Sequence, residues 1–288
     1  MFSLRPKRDP SVLNADLHCH SSVSDGTLSP GEIALRAKEK GVQLWALTDH
    51  DELSGLAIAA EAARDADLPF VPGVEISVTW GPETLHIVGL RVDPDSRVLA
   101  DGLEHTRSGR MRRAHEMAAQ LDEVGIHDSL EGALAYAGNP DLIGRTHFAR
   151  YIVEVGRCDD VKEVFTKYLI AGKPGYVPVQ WATLDDALAW IAAAGGVAVI
   201  AHPGRYRLDE RELRDLFVQF KERGGVGIEV VTGSHSPDQY KRFAKLAQEY
   251  GFRASRGSDF HGPLESRCEL GSLPNLPDTV VPIWRDWA

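Results

Sequence analysis

Short apolar strands that end in histidine or acidic side chains recur along this chain and constrain its fold more than any other feature. The first strand leads into Asp-Leu-His-Cys-His-Ser-Ser-Val-Ser-Asp-Gly at residues 16–26. Because alternate residues of a strand point to the same side, His18 and His20 should project together while Cys19 faces away. Two neighbouring imidazoles, with Asp25 following them, supply part of a divalent-metal site. An isolated His-x-His pair occurs by chance in many folds, so whether this pair binds metal depends on which residues stand at the ends of the other strands.

Strands and helices alternate in two separate parts of the chain. The pattern predicts strand, helix, strand, helix and two further strands up to residue 97, and it returns from residue 173. Such alternation is typical of an α/β fold. Residues 98–172 instead show helical patterns without a convincing strand, including one long helix over 99–124. We therefore predict an α/β domain formed by residues 1–97 and 173–288, interrupted by a small helical insertion domain at 98–172.

Metal-type side chains stand at or beside the ends of nearly all the predicted strands. They are His18, His20, Asp25, His50, Glu75, His86, His202, Asp259 and His261. Carboxyl ends of parallel strands converge in barrels, so we expect these side chains to meet. Such a set exceeds the needs of one tetrahedral ion and suits two or three ions with bridging carboxylates, with manganese, iron or zinc favoured over calcium or copper. Asp16, Asp49 and Asp51 flank the ligands, and we expect them to orient the imidazoles.

Composition excludes several classes of function. The formal net charge of −10 argues against a broad basic surface for duplex nucleic acid, although a small anionic substrate fits a locally positive pocket. The 3 cysteines lie far apart without a Cys-x-x-Cys pair, which argues against a disulfide framework or a thiolate zinc site. No apolar run follows the basic residues 1–10, and no segment approaches the ~20 apolar residues of a membrane span. We expect no signal peptide, no membrane contact and a cytoplasmic location.

These motifs together resemble the polymerase and histidinol phosphatase (PHP) family of metal-dependent phosphoesterases. The matching segments are DLHCHSSVSDG, TDHD, GVEIS, LHIVG, AHPGR and GSDFHG, spread over most of the chain outside the helical insertion and the tail. The resemblance implies a distorted seven-stranded β/α barrel with two or three divalent ions, most typically Mn²⁺. By motif, the implied ligand sets are His18, His20, Glu75 and Asp259 for one ion, Glu75, His86 and His202 for a second, and Asp25, His50 and His261 for a third.

Within that family the chain is similar to the nucleotide phosphatase and exoribonuclease branch, through SDGTLSP, GRTHFAR and GIEV. The similarity implies hydrolysis of the 3′-phosphate of 3′,5′-bisphosphonucleosides to give the 5′-monophosphate, and 5′-3′ trimming of short single-stranded RNA. A histidinol-phosphate phosphatase is an alternative. A C–N hydrolase of the amidohydrolase type would need a bridging lysine where this chain has Glu75, and a non-catalytic metal-binding or nucleotide-binding module should have lost ligands. The sequence leaves the oligomeric state open.

Several residues outside the metal set are candidates for binding phosphate. Arg145, Thr146 and His147 open a predicted helix whose free N–H groups favour an anion, although His147 fits a helix-capping role almost as well. Lys173 at the exit of the insertion and Arg205 just after His202 add positive charge.

Two further groups of residues each have two possible roles. His235, in a strand-end loop, would contact the substrate or protonate the leaving oxygen, so His235 and Arg205 are the candidate catalytic residues outside the metal set. The basic cluster Arg107, Arg110, Arg112 and Arg113 predicts a solvated helix face, with an RNA-facing patch as the alternative.

Overall fold

A seven-stranded sheet forms the centre of the protein, for which a computed structural model describes residues 13–287. Its strands follow the order of the chain: Ala15–Asp16 (β1), Leu44–Leu47 (β2), Phe70–Trp80 (β3), Glu83–Leu90 (β4), Val197–Ile200 (β5), Gly227–Thr232 (β6) and Arg253–Gly257 (β7). Strand β4 runs antiparallel to both its neighbours, and all other neighbouring strands are parallel. The basic stretch at residues 1–10 lies outside the described residues.

Backbone hydrogen bonds between the first and last strands nearly close this sheet into a barrel. Leu17 N donates to Arg256 O at 3.0 Å, and Asp259 N donates to His18 O at 2.8 Å. Farther along, His20 N donates to Phe260 O at 2.9 Å. The predicted distorted seven-stranded barrel is therefore confirmed, and its closure brings the loop after β1 beside the loop after β7.

Helices surround the barrel and also form the long insertion between β4 and β5. They are Pro30–Glu39 (α1), Leu56–Asp65 (α2), Arg97–Arg107 (α3), Arg110–Glu123 (α4), Ser129–Tyr136 (α5), Arg145–Glu154 (α6), Val161–Val164 (α7), Leu184–Ala193 (α8), Glu210–Glu222 (α9) and Pro237–Tyr250 (α10). Helix α1 begins at a capping box formed by Ser29 and Glu32, with Pro30 in its first turn. Within residues 13–287, every helix is too short or too polar to cross a lipid bilayer.

The single helix predicted over residues 99–124 is two helices, because its two halves pack on different cores. Leu99 and Leu103 of α3 belong to the hydrophobic core of the barrel. Helix α4 contributes Ala114 and Met117 to a second, separate cluster. A turn at Ser108 and Gly109 separates the two helices. A second hydrophobic cluster therefore exists beside that of the barrel, with buried members from Ala114 to Val177, and the division into a barrel and an insertion domain at 98–172 stays a prediction.

Candidate metal centre

The nine predicted metal ligands meet at the edge of the barrel where the parallel strands end. They form four overlapping groups, in each of which one ligand atom per residue lies within 4.8 Å of the others. The groups are His20, Asp25, His50 and His261; His18, Glu75 and His202; His18, His20 and Asp259; and His50, Glu75 and His86. Glu75 lies at the centre, with Oε1 2.9 Å from His86 Nδ1 and Oε2 3.0 Å from His50 Nδ1. This central carboxylate is therefore placed to bridge two ions.

Two of these residues hold backbone conformations that non-glycine residues rarely adopt. His202 has φ 29° and Asp259 has φ 56°, and such positions cost about 1–3 kcal/mol when the surrounding structure enforces them. Hydrogen bonds from their own amides hold both in place: His202 N donates to Glu229 Oε2 at 2.6 Å, and Asp259 N donates to His18 O at 2.8 Å. These strained backbone conformations turn the two side chains towards the cluster.

Many polar atoms of the cluster are buried without a partner in hydrogen-bond geometry among the described residues, even where two of them lie close together, as His50 Nδ1 and Glu75 Oε2 do at 3.0 Å. The unpaired atoms are His20 Nδ1, Asp25 Oδ1, His50 Nδ1, Glu75 Oε2, His86 Nδ1 and His202 Nδ1. Buried polar atoms are normally paired, because leaving one unpaired costs as much as a lost hydrogen bond or more. Imidazole nitrogens and carboxylate oxygens are the donors that manganese, iron and zinc accept. This donor set fits divalent metal ions.

The carboxylates of the cluster stay ionised. Burial alone would raise the pKa of Glu75, but the facing imidazoles, His86 and His18 foremost, outweigh it and hold the pKa well below its usual value. The pKa values of Asp25 and Asp259 are lowered in the same way against the effect of burial, mainly by His261 and His18 respectively. Negative charge is therefore concentrated where cations would bind.

Four imidazoles of the cluster fall into two classes according to the direction in which their pKa is shifted. Burial lowers the pKa of His50 well below its ordinary value and that of His202 to about 3, so both rings are neutral, which is the form that binds metal. For His18 and His20, burial is outweighed by neighbouring carboxylates, and the pKa of His20 rises to about 10. A cation that binds to these two rings must displace their protons.

The carboxylate that orients a ligand imidazole is Glu229, which the sequence analysis missed. This fully buried residue of β6 accepts a hydrogen bond from His18 Nδ1 at 2.8 Å. The prediction that Asp16, Asp49 and Asp51 orient imidazoles is wrong, because each bonds to other groups. Asp16 accepts from Ser258 N, Asp49 from Ser21 N and Asp51 from Ser77 N. These three acids stabilise the loops that carry the predicted ligands. For Glu229, the only sequence signal was its place in the GIEV segment.

A cavity of about 150 Å³ opens beside the cluster and is walled by arginines. Arg110, Arg113, Arg145 and Arg205 line it, together with Thr146, Phe165 and Trp181. The guanidinium carbons of Arg110 and Arg113 lie 4.6 Å and 5.4 Å from the centre of the Trp181 ring, within cation–π range. We call this space the arginine cavity.

The predicted solvated helix face is therefore wrong for three of the four basic residues. Arg110 and Arg113 are buried, because one side of α4 turns towards the barrel, and Arg110 pairs with Asp51. Arg107 also leaves the solvated face and donates to the carbonyl of Asp51. Arg112 is exposed as expected.

The candidate phosphate-binding residues separate into those that line the cavity and those that do not. Arg145 and Arg205 line it, and Thr146 lines it while donating to Asp25 Oδ2 at 3.0 Å. His147 does not reach it, because Gly144 N donates to its Nδ1 and its Nε2 bonds to a backbone carbonyl, so the capping interpretation applies. Lys173 is exposed and lines neither this cavity nor the one next to it.

His235 supports a backbone turn instead of facing the cavity. Its Nε2 accepts from Gly204 N at 2.9 Å, and its Nδ1 donates to Val230 O at 3.2 Å. Burial lowers the pKa of His235 to about 4, so the ring is neutral and both nitrogens are already used. The structure contradicts the expectation that His235 contacts the substrate or protonates the leaving oxygen. It positions the turn that carries Arg205.

Comparisons with known proteins agree with this geometry. A family model described as PHP domain matches residues 16–250. The chain is 50% identical over 275 residues to a 3′,5′-nucleoside bisphosphate phosphatase of Chromobacterium violaceum, covering 96% of each protein. It is 41% identical over 276 residues to a 5′-3′ exoribonuclease of Escherichia coli, covering 94% of this chain and 93% of that protein.

Solved structures show the same similarity. A Chromobacterium violaceum protein described as an amidohydrolase, with bound sulfate and no metal, matches with a TM-score of 0.92 at 50% identity over 95% of both chains. A Bifidobacterium adolescentis protein described as a metal-dependent phosphoesterase matches with a TM-score of 0.79 at 28% identity, over 96% of this chain and 95% of that one. These matches cover the barrel and the helical insertion together.

Proposed function

Since this chain belongs to the PHP domain family, we propose that it is a metal-dependent phosphatase that removes the 3′-phosphate from 3′,5′-bisphosphonucleosides. The observation that carries this proposal is the placement of the arginine cavity directly beside the nine-residue cluster. A substrate with two phosphates needs two anion sites, and the chain offers a metal-type site and a guanidinium site next to each other. The relative of Chromobacterium violaceum carries the matching name.

The arginine cavity contains positive charge that ion pairs do not balance, as expected for a site that binds an anion. Arg113 and Arg145 form no ion pair with any carboxylate of the described residues, and Arg110 Nε is buried without a hydrogen-bond partner. Burial, and after it the mutual repulsion of these guanidinium groups, lowers the pKa of Arg113 and of Arg145. A bound phosphate would relieve both costs, since guanidinium–phosphate hydrogen bonds are among the strong ones. We assign the 5′-phosphate to this cavity.

The metal centre takes the phosphate that is to be removed. We propose that the cluster holds two or three divalent ions, with Mn²⁺ favoured and iron or zinc as alternatives. The ligands of the first ion would be His18, His20, Glu75 and Asp259, those of the second Glu75, His86 and His202, and those of the third Asp25, His50 and His261. When bound, such ions lower the pKa of water towards neutrality and neutralise phosphoryl oxygens.

Arg205 is the catalytic residue that we assign outside the metal ligands. It donates to Asp259 Oδ2 through one guanidinium nitrogen at 2.9 Å, and half of its side chain stays exposed to the cavity. Its remaining N–H groups can therefore donate to an oxygen of the phosphoryl group as negative charge develops there.

The alternatives fit the site less well. Histidinol phosphate carries a positively charged amine, which the unpaired guanidinium groups of Arg113 and Arg145 would repel. An amidohydrolase would need a bridging lysine, but Glu75 occupies the centre of the cluster and no lysine lines the cavity. A non-catalytic module should have lost ligands, and here all nine come together.

The test compares substrates and one matched pair of variants. With Mn²⁺ present, the wild-type protein should release phosphate from 3′,5′-bisphosphoadenosine faster than from histidinol phosphate. Arg113→Met should lower kcat/KM for the bisphosphate by about tenfold or more, as expected for a lost charged hydrogen bond, and lower it less for 3′-AMP. The exposed Arg112→Ala is the control. Turnover of p-nitrophenyl phosphate but not of the bisphosphate would refute the nucleotide assignment.

A further inference from the structure

Arg110 contacts the arginine cavity and a buried acid at the same time. Its guanidinium carbon lies 4.6 Å from the centre of the Trp181 ring, and its Nε lines the cavity side of α4 without a hydrogen-bond partner among residues 13–287. Through another nitrogen, Nη2, it donates to the carboxylate of Asp51. Asp51 is fully buried and does not line the cavity. One guanidinium group therefore connects the proposed anion site to an acid that lies outside it.

Asp51 in turn holds two of the predicted metal ligands in place. It directly follows His50, and its backbone N–H donates to the carbonyl of Glu75 at 2.9 Å. Its carboxylate accepts hydrogen bonds from the amide and the hydroxyl of Ser77, two residues after Glu75, at 2.8 Å and 2.9 Å. The distance between His50 Nδ1 and Glu75 Oε2, which is 3.0 Å, therefore depends on how Asp51 is held.

The backbone at Asp51 depends on support from the helices that follow β4. Its φ is 50°, a left-handed conformation that non-glycine residues rarely adopt and that persists only when surrounding contacts enforce it. Arg107 at the end of α3 donates to its carbonyl, and Arg110 in the first turn of α4 pairs with its side chain. A change in the direction of the Arg110 guanidinium group would therefore be passed on to His50 and Glu75.

We propose that Arg110 is a positioning residue that couples the 5′-phosphate in the arginine cavity to the placement of His50 and Glu75. This inference rests on the proposed function, because it takes the 5′-phosphate to occupy that cavity. A phosphate oxygen there can accept a hydrogen bond from Nε while Nη2 keeps its bond to Asp51, so the guanidinium group is fixed from both sides. A remote phosphate that is used in this way raises kcat, whereas one that is only held more tightly lowers KM.

Arg113 provides the contrast within the same cavity. It also packs on Trp181, but its Nε donates to the carbonyl of Val177 at 3.0 Å. That carbonyl belongs to the segment between α7 and α8, which carries none of the nine predicted ligands. Loss of Arg113 should therefore raise KM for the bisphosphate with little change in kcat.

The experiment measures kcat and KM separately for 3′,5′-bisphosphoadenosine and for 3′-AMP, which lacks the 5′-phosphate. With Mn²⁺ present, the wild-type protein should have a kcat about tenfold higher or more for the bisphosphate, since small displacements of reacting groups cost up to ~100-fold. Asp51→Asn removes the ion pair without changing the cavity lining, and it should reduce this kcat ratio to about two or less. Arg110→Lys should do the same, because an ammonium group lacks the planar fork that reaches both partners.

Asp49→Asn is the matched control. Asp49 is a buried acid on the other side of His50, and it bonds to Ser21 and Ser24 rather than to an arginine. Its replacement should lower kcat for both substrates and leave the kcat ratio unchanged. Arg113→Met should also preserve the ratio while it raises KM for the bisphosphate. Circular dichroism confirms that each variant is folded.

Metal binding gives a second readout that does not depend on turnover. Metal-stripped protein is titrated with Mn²⁺ in a calorimeter, with and without saturating 5′-AMP, which carries the 5′-phosphate. In the wild-type protein 5′-AMP should tighten Mn²⁺ binding by about fivefold or more, a typical coupling between two sites. Asp51→Asn should reduce this coupling to less than about twofold, whereas Asp49→Asn should preserve it.

The outcomes separate this inference from the proposed function. Loss of the kcat ratio and of the coupling in Asp51→Asn, with both preserved in Asp49→Asn, supports Arg110 as the positioning residue. An unchanged ratio or an unchanged coupling in Asp51→Asn overturns it. Equal kcat values for the two substrates in the wild-type protein, with only KM lower for the bisphosphate, also overturn it and leave the phosphatase assignment intact. If the wild-type protein does not hydrolyse the bisphosphate, both are wrong.

Discussion

Replacing Glu229 with glutamine should weaken metal binding although Glu229 is not a ligand. The carboxylate accepts two hydrogen bonds, from His18 Nδ1 at 2.8 Å and from the amide of His202 at 2.6 Å. These bonds direct the Nε2 lone pair of His18 towards the cluster and hold the strained turn at His202. A partner of this kind typically contributes 10–100-fold to metal affinity, which corresponds to about 1.4–2.8 kcal/mol.

The magnitude follows from counting acceptors. Glutamine has one acceptor oxygen where glutamate has two, so Glu229→Gln leaves either the ring N–H or the backbone N–H without a partner. A buried unpaired donor costs about 1–3 kcal/mol. If the backbone keeps the acceptor, the ring loses its orientation and Mn²⁺ affinity falls by about tenfold or more. If the ring keeps it, the turn at His202 loses its support and the free energy of unfolding falls instead.

The assay measures both quantities on the same samples. Isothermal titration of metal-stripped protein with Mn²⁺ gives the affinity, and urea denaturation in EDTA gives the free energy of unfolding. Asp16→Asn is the matched control, because this equally buried acid bonds to Ser258 and Gly271 but to no imidazole. It should lower stability with a smaller effect on affinity. Unchanged affinity and unchanged stability in Glu229→Gln would refute the reasoning.

Three further predictions follow from single contacts. Thr146→Val removes the 3.0 Å bond to Asp25 Oδ2 and should lower metal stoichiometry or affinity in plasma mass spectrometry or titration, while Thr146→Ser should restore it. Burial lowers the pKa of His235 to about 4, whereas an imidazole in the unfolded chain titrates near pH 6.5. The neutral ring therefore contributes fully to the free energy of unfolding above about pH 6.5, and this contribution, up to about 3 kcal/mol, is lost as the pH falls through 4. The acid unfolding curve of His235→Gln should lack this pH-dependent loss. Gly102→Ala should destabilise the protein by about 2 kcal/mol or more in urea denaturation, because its Cβ would lie 2.3 Å from the Trp190 ring; an unchanged midpoint would contradict the packing of α3 on α8.

The metal-type residues were predictable because each is specified locally. The extended segment that continues β1 fixes the direction of His18 and His20, and the end of a parallel strand fixes the position of His50 and His202. No contact between distant residues has to be known in advance. The convergence then follows from the architecture of a barrel, and the fold class follows from the alternation of strands and helices.

The arginine wall was not predictable in this way. On α4, Arg110 and Arg113 resemble any charged helix face, and only the docking of that helix against Trp181 turns them inward. The same limit applies to His147 and His235. Both look like site histidines in the sequence, and both bind backbone groups that lie far away or inside their own turn. Long-range packing decides which of two chemically similar side chains meets the substrate.

Helix α6 connects the metal centre to the phosphate site. Thr146 in its first turn holds the carboxylate of Asp25, and Arg150, one turn later, donates to the carbonyl of Asp25 and to Glu265. Glu265 belongs to the loop that follows His261, so this one helix ties together the two ligand loops that β1 and β7 bring side by side. Arg145, at the start of the same helix, lines the arginine cavity. A shift of α6 would therefore move Arg145 and Asp25 together, so under the proposed function the helical insertion would couple substrate binding to the geometry of the metal cluster.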